Sequence, residues 1–294
     1  MNRYMYLTVA AALAVGGCSQ APSTESESAM NEPMTVESPV AETTATMQPI
    51  RYNEFVWCTS GENGNAENVA ARNAYWANAV SEIGLDTLVS ASLTPQGWSS
   101  DSFDRLTLLM WPDKEARDAG WAAYAEAGIE AELNTRFAGV EACGGENWAN
   151  VYGLDVYQPR TPTVSGVDTI TDSAYTGYSF CSFNEGKEPA DLRAVVTGPF
   201  MTFVDDFEAE AGPNSFNFLV QLPDFEETEV ELHEAVPPTF DFVWTSFWGN
   251  ETDRALTEAV WAEKGAAIQA QFDEVVTCSE EQGYDIEIIK QAAI

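Results

Sequence analysis

The sequence predicts an α+β fold built from two copies of one module. Three observations carry this. A spaced motif, Phe-Asp-x6-Trp-x5-Arg, occurs twice, as Phe103-Asp104, Trp111, Arg117 and as Phe240-Asp241, Trp248, Arg254, with corresponding residues 137 positions apart. In each copy a β-like run ends at the Trp, and a helical pattern starts two or three residues later. Each copy also lies between two cysteines, Cys58 and Cys143 in the first and Cys181 and Cys278 in the second. Repetition at a fixed interval is the mark of a duplicated structural unit.

The chain before the first module reads as an export signal and a spacer. Met1-Asn2-Arg3 is a short positive start, and Tyr4 to Val15 is an apolar run too short to span a bilayer. Val15-Gly16-Gly17-Cys18 closes it and resembles the lipobox of bacterial lipoproteins. The resemblance implies removal of residues 1–17, lipidation of Cys18 and, with Ser19 rather than Asp after the cysteine, passage to the outer membrane of the cell envelope. Each buried acyl CH₂ would add about 0.8 kcal/mol to the anchor. Residues 18–50 are rich in Ser, Thr, Glu, Pro, Ala and Met. Such a stretch buries too little apolar surface to order itself and reads as a disordered acidic tether.

Residues 51–158 form the first repeat. Tyr52–Cys58 reads as a strand with Phe55 and Trp57 on one face, and Ala66–Ile83 as a helix from the spacing of Val69, Asn73, Trp76 and Val80. Strands follow at Leu85–Leu93 and Phe103–Trp111. Asp113 suits an N-cap, Lys114–Phe137 is helical with a break near Gly128, and Val151–Tyr157 is the last strand. Residues 159–174 form a polar linker containing two prolines, counting Gln158-Pro159 at its start. The second repeat, 175–294, gives the same order: strand Tyr175–Phe183, helix Ala190–Glu210 disturbed at Gly198-Pro199, strands Ser215–Leu222 and Thr239–Trp248, a helix capped by Asn250, and strand Tyr284–Ile289.

The order β-α-β-β-α-β is similar to that of ferredoxin-like modules. Two such repeats in one chain resemble a dimeric α+β barrel fused into a pseudo-dimer. The resemblance implies that the first and fourth strands of each module are antiparallel neighbours. That in turn implies disulfides Cys58–Cys143 and Cys181–Cys278, as expected for an exported chain. It further implies a monomer, because one chain then supplies both halves of the barrel.

Composition narrows the partners. The chain has 13 basic and 47 acidic residues and a formal net charge of −34, which argues against nucleic acid and anionic lipid head groups. There is no Gly-x-Ser-x-Gly, no phosphate loop and no Gly-x-Gly-x-x-Gly. No metal site is expected. The single histidine, His233, sits in an acidic run that reads as an exposed edge, and Asp205-Asp206 with Glu208 and Glu210 reads as a solvated helix end. Attention falls instead on the nine tryptophans and on the motif pairs Trp111, Arg117 and Trp248, Arg254. The arginines either pair with Asp104 and Asp241 or stack on the tryptophans. A barrel interior lined by such residues is either packed or open as a pocket for an apolar ligand.

The reading expected from the sequence is a non-enzymatic envelope lipoprotein that binds a small apolar ligand or an envelope protein, without a cofactor. Relatives implied by the barrel resemblance include cofactor-free monooxygenases and haem-dependent enzymes, so a cofactor-free oxygenase-like enzyme is one alternative and a purely structural envelope protein another. Haem would need an axial ligand, and His233 is the sole histidine. Replacing Cys18 by Ala should move the protein from the membrane to the soluble fraction. Retention of that variant on salt-washed membranes would overturn the lipid anchor.

Overall fold

Hydrogen-bond register, followed strand by strand, closes this chain into a ring. The computed structural model describes residues 48–144, 152–164, 174–224, 236–237 and 239–293. Cys18 with its signal segment, most of the tether, residues 165–173 of the linker and His233 with the acidic run around it lie outside the described residues.

The first repeat comprises β1 (Arg51–Ser60), α1 (Ala66–Glu82), β2 (Val89–Pro95), β3 (Arg105–Trp111), α2 (Lys114–Ala127), α3 (Ile129–Arg136), β4 (Glu141–Cys143) and β5 (Tyr152–Tyr157). The second comprises β6 (Tyr175–Phe183), α4 (Pro189–Val195), α5 (Met201–Ala211), β7 (Asn217–Pro223), β8 (Phe242–Trp248), α6 (Glu251–Lys264), α7 (Ala266–Val275), β9 (Val276–Cys278) and β10 (Gln282–Lys290).

Local chemistry sets the helix ends. Asn65, Asp113 and Asn250 cap α1, α2 and α6, each side chain accepting a first-turn backbone N–H. Gly128 takes φ +67° between α2 and α3, a left-handed conformation in which a side chain would be strained. Gly198-Pro199 falls in a π-helical stretch, Val196–Phe200, that joins α4 to α5. Proline withholds an N–H there, and the widened turn accommodates it.

The strand order is β2-β3-β1-β5 in the first repeat and β7-β8-β6-β10 in the second. Antiparallel pairing of β5 with β7 and of β10 with β2 joins the two sheets at both edges. The result is one closed barrel rather than two sheets that merely face each other. Register repeats between the halves: Tyr52 pairs with Trp111 and Glu54 with Leu109, as Tyr175 pairs with Trp248 and Gly177 with Ser246.

Strand alternation divides the side chains between two environments. Inward residues, among them Phe55, Leu93, Leu106, Leu154, Tyr178, Val243 and Tyr284, form one core. The space left within it is about 40 Å³, too little for an organic ligand. Trp57 and Trp98 pack against this core. Of the two states left open for the barrel interior, packed or hollow, the described residues show the packed one. Outward residues pack under the helices, with Tyr52, Val56, Leu109 and Trp111 in the first repeat and Phe218, Phe242 and Trp248 in the second.

β4 and β9 pair with the ends of β1 and β6, setting Cys143 opposite Cys58 and Cys278 opposite Cys181. Both pairs are disulfide-bonded, with sequence separations of 85 and 97 residues. Closing loops of this length restricts the unfolded chain by about 4–5 kcal/mol in the chain-entropy account. Non-reducing peptide mapping should recover these two links, and Cys58→Ser/Cys143→Ser should lower unfolding free energy by about 2–5 kcal/mol. A Cys58–Cys181 peptide would contradict the fold.

Candidate functional site

Equivalent positions under the helices are filled differently in the two repeats. In the first, Glu54 projects outward from β1 and is fully buried, at 0 % exposure. Its carboxylate accepts hydrogen bonds from Trp111 Nε1 at 2.9 Å, Trp121 Nε1 at 2.8 Å and Arg117 Nε at 2.6 Å. A buried carboxylate is tolerated when its oxygens are paired in this way. Val56 and Leu109 lie beside it in the same outer core. This plug leaves a residual space of about 50 Å³.

In the second repeat Trp248 and Arg254 keep the places of Trp111 and Arg117, but the carboxylate and the side chains around it are exchanged. Strand register places Gly177 where Glu54 stands, Ser246 where Leu109 stands, and Ser179, opposite Trp244, where Val56 stands opposite Thr107. On the helix, Glu258 falls four residues after Arg254, as Trp121 falls four after Arg117. Four larger or partnered side chains are thus replaced by smaller or outward-reaching ones. The space they vacate is a cavity of about 500 Å³ between the sheet and α4–α7. Ser179 and Ser246 are on its sheet side, and Phe200, Phe203, Trp261 and Phe272 are among the helical residues that wall it. The volume is that of sites for drug-sized molecules.

Trp248 lines this cavity and is only 6 % exposed, yet its Nε1 has no hydrogen-bond partner. Its counterpart Trp111 donates to Glu54. A buried donor without an acceptor is costly, and this one belongs to a residue of the cavity wall.

A carboxylate re-enters from another element. Glu281, just before β10, accepts a hydrogen bond from Tyr175 Oη at 2.9 Å. The residue as a whole is exposed, but its carboxyl group lies on Gly177, where an added Cβ would stand 2.1 Å from Glu281 Cδ. Burial of that carboxyl raises its pKa, against the lowering effects of Tyr175 and Arg254. The tyrosines keep their places: Tyr52 and Tyr175 reach over Gly153 and Gly283, where a Cβ would come within 1.7 and 1.9 Å of the phenolic oxygens. Burial, followed by the Glu281 charge, raises the Tyr175 pKa.

The motif arginines depart from both expected roles. Arg117 pairs with Glu54 and Asp118, not Asp104. Arg254 stacks on Tyr175, 3.5 Å from the ring centroid, rather than on Trp248, and bonds Glu258 at 2.8 Å and Gln96 at 2.7 Å. Asp104 and Asp241 instead accept the backbone N–H of Ser60 and of Phe183, holding the ends of β1 and β6. Of the four motif residues, only Trp248 lines the cavity. The acidic group on α5 is answered within the chain, Asp205 and Glu208 by Arg160 and Glu210 by Lys264. Cys58, Glu141 and Cys143 lie close together, but the cysteines are disulfide-bonded and Glu141 pairs with Arg72 and Arg105. The described cavity lining contains no His, Met or Tyr, and its Cys181 and Cys278 are joined to each other. None of these residues is a ready axial ligand for haem iron.

No family model and no curated protein matches the chain. Solved structures resemble it in shape. A chlorite dismutase mutant from Candidatus Nitrospira defluvii is 9% identical with a TM-score of 0.47, over 82% of this chain and 93% of that one. A heme-binding protein from Thermus thermophilus is 9% identical with a TM-score of 0.43, over 82% and 92%. An anthrone oxidase-like protein is 12% identical with a TM-score of 0.42, over 83% and 97%. Such identities bear on architecture alone, which the strand register above establishes independently.

The same substitution at the two equivalent tryptophans should give different results. Trp111→Phe removes a hydrogen bond to a buried carboxylate and should cost about 1–3 kcal/mol more than Trp248→Phe, which removes a donor that has no partner. Urea unfolding of both variants measures the difference. Equal losses would show that Trp248 Nε1 is satisfied in the folded protein.

Proposed function

We propose that the protein is a lipid-anchored envelope protein that holds a small, largely apolar ligand in the second-repeat cavity. The cavity of about 500 Å³ beneath the second repeat's helices, walled by Phe200, Phe203, Trp244, Trp261 and Phe272, is the observation that carries this reading. The contrast with the first repeat supports the reading, since the same fold closes the equivalent space with Glu54 and Trp121. Cys18 would anchor the chain to the outer membrane, and the tether would hold the barrel off its surface. Closure of the ring within one chain supports a monomer, because both sheet edges are already paired.

A second reading is cofactor-free oxidation of that ligand. It is favoured by Glu281, whose raised pKa and place in the cavity lining suit a proton acceptor. Oxygen uptake on addition of a naphthol, abolished in Glu281→Gln, would decide for it.

Native mass spectrometry of protein extracted from its own envelope tests the ligand. A mass excess is expected that disappears on unfolding. Ser179→Leu/Ser246→Phe fills the sheet side of the cavity without changing charge. It should remove the excess mass while keeping thermal stability at or above that of the unsubstituted protein. An identical mass excess in both proteins would place the ligand elsewhere.

A further inference from the structure

The ionisable lining of the cavity has one sign. Glu258, Asp273 and Glu281 contribute to it, whereas no lysine or arginine does. Glu258 and Asp273 are exposed residues on its open side, and Glu281 is exposed as a residue with its carboxyl turned in over Gly177. In the first repeat a single carboxylate, Glu54, is answered by one guanidinium and two indole donors. Here Glu258 has Arg254, Glu281 has the neutral Tyr175 hydroxyl, and Asp273 has the neutral Gln269 amide. Arg254 is committed to Glu258, Gln96 and the Tyr175 ring, which leaves the site short of positive charge.

The walls favour the same sign. Trp244, Trp261, Phe200, Phe203 and Phe272 meet one another in edge-to-face contacts, and all five line the cavity. Aromatic faces attract cations through their quadrupoles, indole most strongly. A chain of net charge −34 also concentrates cations around itself. An anion entering the cavity would lose its water against three carboxylates and gain no cationic partner. The acidic rim alone would not define a ligand, but the aromatic cavity of about 500 Å³ behind it is room of the size and lining that an apolar ring body requires.

We propose that the ligand is an organic cation with an apolar ring body. The ring lies among the aromatic walls, and the positive group faces Glu258, Asp273 and Glu281. This rests on the ligand-binding reading above and specifies the chemical class it takes.

Three probes of one shape test it: 2-acetyl-6-(trimethylammonio)naphthalene, its neutral isostere 2-acetyl-6-tert-butylnaphthalene, and the anion 6-acetyl-2-naphthoate. Binding is read by tryptophan quenching and calorimetry on the whole lipoprotein in detergent. The cation should bind about tenfold or more tightly than the tert-butyl compound, and the naphthoate more weakly than either. Asp273→Asn/Glu281→Gln should narrow the gap between cation and isostere, and Ser179→Leu/Ser246→Phe should abolish both. If the neutral isostere binds as tightly as the cation, the charge assignment falls while the cavity stands as a ligand site. If none of the probes binds, both fall. If the cation binds the filled variant undiminished, it is adsorbing to the acidic surface, and the assignment falls.

Discussion

Pairing of β5 with β7 and of β10 with β2 is the constraint on which this structure depends. A four-stranded sheet with helices on one face leaves its other face apolar and its edges open. The two seams close the edges and enclose both open faces in one interior. That interior then fills with inward aromatics and leucines. The seams are themselves partly polar and buried: Asn53 donates to Gln221, which donates to Thr245, across β1, β7 and β8. Once the interior is filled, space for a ligand can exist only between the barrel wall and the helices outside it.

Duplication gives two such spaces, and they have diverged in opposite directions. The first repeat holds a buried carboxylate with three donors, an arrangement whose members depend on one another. Removing one partner of a buried ion pair typically costs about 3–5 kcal/mol. The second repeat gives up that plug for glycine, two serines and a glutamate reaching to the rim. The Phe200, Phe218, Trp244 and Phe272 rings pack against one another around the space that remains. One copy thus supplies stability and the other supplies room.

Much of the fold was legible because it rests on local chemistry. Asp113 and Asn250 cap helices, Gly128 ends one, and the Gly198-Pro199 stretch disturbs another, each for reasons contained within a few residues. The cysteine pairs followed from strand order. β4 and β9 were missed because three residues are too few to show a period. The cavity was hidden for a different reason. The motif repeats at 137 residues, whereas β1 and β6 correspond at 123, as Tyr52 and Tyr175 show by their common pairing with Trp111 and Trp248. The motif's offset of 137 therefore sets Glu54 beside Asp191 rather than Gly177, and the exchange that opens the cavity cannot be read from it. Arg117 was misassigned on the same ground, since its partner lies on a strand outside the motif.

The last strand of the chain has a second meaning. β10 pairs with both β2 and β6, so it is the stave that completes the ring. A chain that stops short of it would leave two long strands with bare backbone and Tyr178 and Tyr284's neighbours open to water. Such edges recruit other strands or proteases. The fold therefore hides its strand edges only when Gln282–Lys290 is in place between β2 and β6.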